Sequence, residues 1–161
     1  MSSVLDTVML VIMVVGFLVV GLVAVGFLTE INTELQSDPS ISNESKALSQ
    51  NVTDSVPSIL DYAFLFLLVG FWAVLLLLNY FLDTHPVFMV MTFVVMFAVM
   101  FVAGAAQDFF VELTSDVSMA SVALEFPIAN FVMNNFFMVF LVMAASLMLV
   151  LYSKVRGGQG I

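Results

Sequence analysis

The 161-residue chain is 63% hydrophobic and 9% charged, with a mean hydropathy of +1.19, a composition outside the range of soluble domains. Twelve Asp and Glu against three Lys and Arg give a formal charge of −9, which argues against binding to nucleic-acid phosphates or anionic headgroups, both of which require basic patches. With no cysteine, disulfides, thiol nucleophiles and thiolate metal sites are excluded. The acidity suits a salt-rich environment, or it reflects only a few acidic loops that dominate a small total.

Met1–Asp6 carries no basic residue, and the apolar run after it is too long for a cleaved leader, so residues 8–28 read as a first membrane span. Its glycines, Gly16, Gly21 and Gly26, recur every five residues, which spreads them around the helix and admits close neighbours at different depths. Residues 29–61 form the longest polar segment, with Glu30, Glu34, Asp38, Glu44 and Asp54 against Lys46. Asp38-Pro39 marks a turn there. Beyond it Ile41, Leu48, Val52 and Val56 fall close to one helical stripe, with Ser42 or Asn43 as cap; the pattern reads as a short amphipathic helix on the membrane surface, or as a loose loop. Asn43-Glu44-Ser45 and Asn51-Val52-Thr53 also match the glycosylation pattern, which is common by chance.

Residues 62–82 and 86–107 are two uncharged runs, each long enough to cross a bilayer. Only Asp83, Thr84 and His85 separate them, which predicts a tight central antiparallel hairpin in contact along its length, with Pro86 in the first turn of its second helix. Residues 108–126 make a second acidic connection, into which the third helix continues to about Thr114 or Ser115, and Ser118–Leu124 adds a short turn. Pro127 starts a fourth span, 127–152, followed by a short basic tail, 153–161. The expected fold is therefore all-α, an integral membrane four-helix bundle in a single domain. Lys154 and Arg156 beyond the last span, set against acidic connections, place the termini on the cytoplasmic side.

The four apolar runs hold no ionisable residue, and ionisable groups inside spans are where membrane chemistry is ordinarily found. Their polar residues are Asn79, Thr92, Asn130, Asn134, Asn135 and Ser146. Asn130 and Asn134 share a face and read as hydrogen-bonding groups at a helix interface, with a small polar path as the alternative. His85 is the one histidine and reads as a solvated turn residue, since a metal site needs three or four ligands. Met133, Met138, Met143 and Met148 recur every five residues, so they do not share a face and read as packing residues and not as a copper site. Small residues at Ala103-Gly104-Ala105-Ala106 and Ala144-Ala145-Ser146 suggest close helix approach. No catalytic, cofactor-binding or metal-ligating residue is identified, and the expectation is a non-enzymatic protein without a cofactor, a small-molecule substrate or nucleic acid.

At Phe81-Leu82-Asp83-Thr84-His85-Pro86-Val87-Phe88, followed by an apolar span and by Glu125-Phe126-Pro127-Ile128-Ala129-Asn130-Phe131, the chain resembles small membrane proteins of icosahedral viruses that carry a lipid bilayer beneath a protein capsid. The resemblance covers the second to fourth spans. It implies a structural protein of a virion internal membrane whose partners are the bilayer, copies of itself, and capsid or neighbouring membrane proteins. A small accessory subunit of a cellular membrane complex and a holin-like pore former are the alternatives.

Overall fold

The computed structural model describes residues 2–81 and 86–158, and every regular element among them is an α-helix. These are α1 (Ser2–Ser37), α2 (Asn43–Phe81), α3 (Pro86–Ser115), α4 (Val117–Leu124), α5 (Pro127–Asn134) and α6 (Phe136–Gly158). Among the described residues three stretches are long and apolar enough to cross a membrane: Ile12–Ser37, Asn43–Leu77 and Phe136–Lys154. Only 17% of the apolar window in α2 is buried, so most of that hydrophobic surface faces outward, as it does in a helix solvated by lipid. The Asp83–His85 turn lies outside the described residues, and so do the side chains of Asn79 and Thr92.

The polar segment 29–61 is neither a loop nor a separate surface helix. Its residues extend α1 and α2 into a long hairpin whose turn occupies only the residues between Ser37 and Asn43. Helix persists here because local bonds cap both ends of the turn. The Asp38 carboxylate accepts from the Ser40 amide (2.8 Å) and hydroxyl (2.7 Å), and these two bonds hold its pKa below the ordinary value. Ser42 caps α2 by accepting from the Ser45 amide at 3.3 Å. Lys46 Nζ donates to the Gln36 carbonyl (2.8 Å) while Gln36 Nε2 donates to the Lys46 carbonyl (2.9 Å), closing the tip. Below it lies Asn32, buried, whose Nδ2 donates to Gln50 Oε1 (2.8 Å) and whose Oδ1 accepts from Ser49 (2.8 Å). α2 then runs through Pro57 without ending, although the proline ring cannot donate to the Thr53 carbonyl.

Among the described residues, α1 packs on α2 and α3, and α6 packs on the same two helices, so the four long helices close a ring. Among the described residues α2 and α3 show no pairing along their length, where the sequence predicts a tight central hairpin. A short connection fixes the direction of two helices; side-chain fit chooses the neighbours. The centre is filled by Val14, Leu18, Leu22 and Val25 of α1, at helical spacing, with Phe64 of α2, Phe110 of α3, Phe136 of α6 and Phe126 from the α4–α5 connection. α4 closes one end of the ring by packing on α1 and α3.

The small residues divide by position. A Cβ on Gly21 would sit 3.7 Å from Leu60 of α2, and one on Gly26 would sit 3.7 Å from Val122 of α4, whereas Gly16 has nothing near it. A Cβ on Gly104 would likewise meet nothing, so the expected close approach there falls instead on the fully buried Ala103.

Substituting Asn32 by alanine leaves Gln50 and Ser49 without their partner. The outer hairpin should lose about 1–3 kcal/mol, read as faster hydrogen exchange in residues 29–55 while the exchange of α6 is unchanged.

Candidate functional site

The fourth apolar segment is two helices where the sequence suggests one. α5 ends at Asn134, Asn135 leaves helical geometry (φ −116°, ψ 21°), and α6 begins at Phe136. Consecutive asparagines favour such a break, because their side chains compete with the backbone for its own hydrogen bonds. In hydrocarbon the freed backbone groups must be satisfied within the protein. Two side chains do this. Asn135 Nδ2 donates to the Phe131 carbonyl at 2.9 Å. Gln107 of α3 spans the break, its Nε2 donating to the Asn134 carbonyl (2.8 Å) and its Oε1 accepting from the Phe137 amide (3.1 Å).

The start of α5 poses the same problem. Pro127 occupies its first turn and Phe126 precedes it, so no local side chain is available to cap its amides, and none does. The acceptor comes from α2. Asp61, 2% exposed, takes the Ile128 amide on Oδ2 (2.9 Å) and the Ala129 amide on Oδ1 (2.7 Å). A carboxylate at a helix N-terminus is stabilised both by these charge-assisted bonds and by the helix dipole.

Asp61 stands at the edge of the α2 apolar run and is nonetheless buried between helices. Its neighbour Leu60 touches α1 at Gly21, seven residues before the apolar run of α1 ends at Leu28. A buried ionisable group among apolar helices is the strongest candidate for a functional residue. Here both of its oxygens are engaged by backbone amides, so its evident work is to hold α5 against α2.

The interface role expected of the polar residues in the apolar runs is met by Ser146 and not by Asn130 and Asn134. Asn134 Nδ2 bonds Asn130, to its Oδ1 (2.6 Å) and carbonyl (2.9 Å), so this pair satisfies itself within α5 instead of bridging helices. Ser146 does bridge, accepting from Trp72 Nε1 at 3.1 Å and donating to the Met143 carbonyl. Met133 and Met143 are buried while Met138 is exposed, the dispersal that five-residue spacing dictates. Among the described residues no group of three His, Asp or Glu side chains is placed to hold a metal. His85 lies outside them.

Two cavities flank the Asp61 anchor. An apolar groove of about 500 Å³ runs between α2 and the α5–α6 break, lined by Leu65, Val69, Trp72, Phe131, Met138 and Val142 among others. A polar one of about 330 Å³ lies toward the outer end, lined by Thr53, Asp54, Pro57, Ser58 and Glu125. The Glu125 carboxyl is held above its ordinary pKa, first by partial burial and then by the charge of Asp54.

Asp61 escaped the sequence reading because it stands one residue before an apolar run and looks like its boundary. The available signal was indirect: Pro127 opens a helix that lacks a capping residue.

Replacing Asp61 by alanine leaves two buried amides without an acceptor, an expected cost of about 1–3 kcal/mol for each. Amide exchange at Ile128 and Ala129 should accelerate first, and Asp61→Asn, which keeps one acceptor oxygen, should show a smaller effect. For Glu125 the folded-state pKa is raised, so the folded state binds the extra proton and its stability declines as pH rises from the ordinary glutamate value through the raised one. Glu125→Gln should remove this slope in thermal unfolding followed across that window. No protein-family model matches the chain, and no curated protein or solved structure matches it either.

Proposed function

We propose that the chain is a structural integral membrane protein, a four-span helical bundle that works by packing in a bilayer and assembling with copies of itself and with capsid or neighbouring membrane proteins. One observation carries this reading. The polar groups placed within the apolar helices, Asp61, Gln107, Trp72, Asn135 and Ser146, serve bonds that hold helix to helix or mend a helix break, while the outer surface is broadly apolar. The side chains available for chemistry are thus engaged in architecture, and what faces outward is suited to lipid and to other helices. α3, 30 residues long and closing the ring between α1 and α6, supplies the remaining span.

The resemblance of residues 81–88 and 125–131 to small membrane proteins of icosahedral, membrane-containing viruses supports placing it in a virion internal membrane. The basic residues Lys154 and Arg156 support an orientation with the termini on the cytoplasmic side.

Affinity purification from a mild-detergent lysate tests the proposal. Recovery of capsid proteins in stoichiometric amounts is the expected result, and recovery of respiratory or transport subunits would instead establish an accessory subunit. In the same membranes, thiol labelling of single cysteines should reach positions 45 and 118 and spare positions 2 and 159; the reverse pattern would invert the orientation.

A further inference from the structure

One face of α2 remains unused by the ring. Leu48, Val52, Ile59, Tyr62, Phe66 and Val69 are 46–77% exposed, and with Ser55 and Ala73, also exposed, they recur at alternating intervals of four and three residues. This is a heptad seam, with Val52, Ile59, Phe66 and Ala73 at a positions and Leu48, Ser55, Tyr62 and Val69 at d positions. Its outer half is the informative part. In Asn43–Leu60 the exposed large apolar side chains are Leu48, Val52 and Ile59, and all three lie on the seam. Leu48 and Val52 stand beyond the level of Leu28, among Ser49, Gln50 and Asn51, past the end of the apolar run of α1.

We infer that this seam is where a second copy of the chain packs, α2 against α2, in parallel. The period identifies a helix as the occupant, since a 3.5-residue repeat keeps one face against a supercoiling partner over many turns. Parallel orientation follows from two copies inserted the same way in one membrane. β-branched residues at the outer a positions, Val52 and Ile59, with Leu48 at d are the combination that favours two strands.

Charge leaves this face open to a copy of the same chain. Two chains of net charge −9 repel each other, and they approach best along a face that carries no charge. From Leu48 to Ala73 the seam has none: Asp54 and Asp61 each lie two residues past an a position, about 200° around the helix. The one hydroxyl on the outer half, Ser55, is satisfied within its own helix by the Asn51 carbonyl at 2.7 Å. The six large side chains leave exposed on the order of the 800 Å² per partner that a standard interface buries. This inference deepens the assembly reading proposed above and rests on it for the parallel orientation.

The absence of native cysteine makes the test direct. Single variants S55C and I59C, on the seam, and D54C, off it, are oxidised in native membranes with copper phenanthroline and resolved by mass. Seam positions should give a species of twice the chain mass, with D54C at least tenfold weaker. Adding S55D to I59C sets like charges against each other at a solvent-accessible position without touching the core, and it should reduce the I59C dimer at least tenfold. Equal crosslinking at all three positions, no dimer at the seam, or an adduct with a different protein would each overturn the inference. Co-purification with capsid proteins, measured separately on the S55D variant, reads the assembly proposal, so the failure of one is distinguishable from the failure of the other.

Discussion

The structure depends on a single carboxyl group placed where water cannot reach it. Asp61 meets the first free amides of α5 with both oxygens, and through them fixes the fourth apolar segment to α2. In water a helix can leave its terminal amides to solvent, but within an apolar layer each unsatisfied donor costs several kcal/mol. The proline that opens α5 and the phenylalanine before it therefore make a distant acceptor obligatory. Once Asp61 supplies it, the elbow formed by α4 and α5 has a fixed seat, and Phe126 and Phe136 at the two ends of α5 enter the core together.

The same constraint explains the lower end of α5. A break in a membrane-embedded helix is tolerated only where other groups repair it, and Gln107 reaches from α3 to do so with one donor and one acceptor. α5 is thereby tied to α2 at its start, while Gln107 ties the break below it to α3. α2 and α3 occupy opposite corners of the ring, so this short segment braces the diagonal that the long helices leave unpaired. A continuous helix from Pro127 onward would not offer the carbonyl and amide that Gln107 uses.

The division of polar groups bears on function. Inside the apolar layer they serve helix contacts, and outside it they build the α1–α2 hairpin, whose tip is closed by Asp38, Ser40 and the Gln36–Lys46 pair. The exposed face of α2 connects the two regions without carrying charge. A protein organised in this way carries a long, neutral, apolar edge on an otherwise acidic body.

The amino-acid sequence alone pointed to the membrane, because unbroken apolar runs of about twenty residues are long enough to cross a bilayer. It also determined the turn at Asp38-Pro39, the end of α3 near Ser115 and the short helix before Glu125, since caps, prolines and periodicity are local signals. Tertiary structure decided the rest. That the two arms of the polar stretch continue α1 and α2 as one hairpin, where periodicity suggests a separate surface helix or a loop, goes with Asn32 meeting Ser49 and Gln50 on the facing helix, a partnership with no local trace. That α2 and α3 stand at opposite corners of the ring follows from each packing on α1 and α6 instead. That Asp61 is an anchor and not a boundary residue follows from a helix start 66 residues later in the chain. Each of these outcomes requires knowing which atoms meet across elements, and periodicity along one element carries no such information.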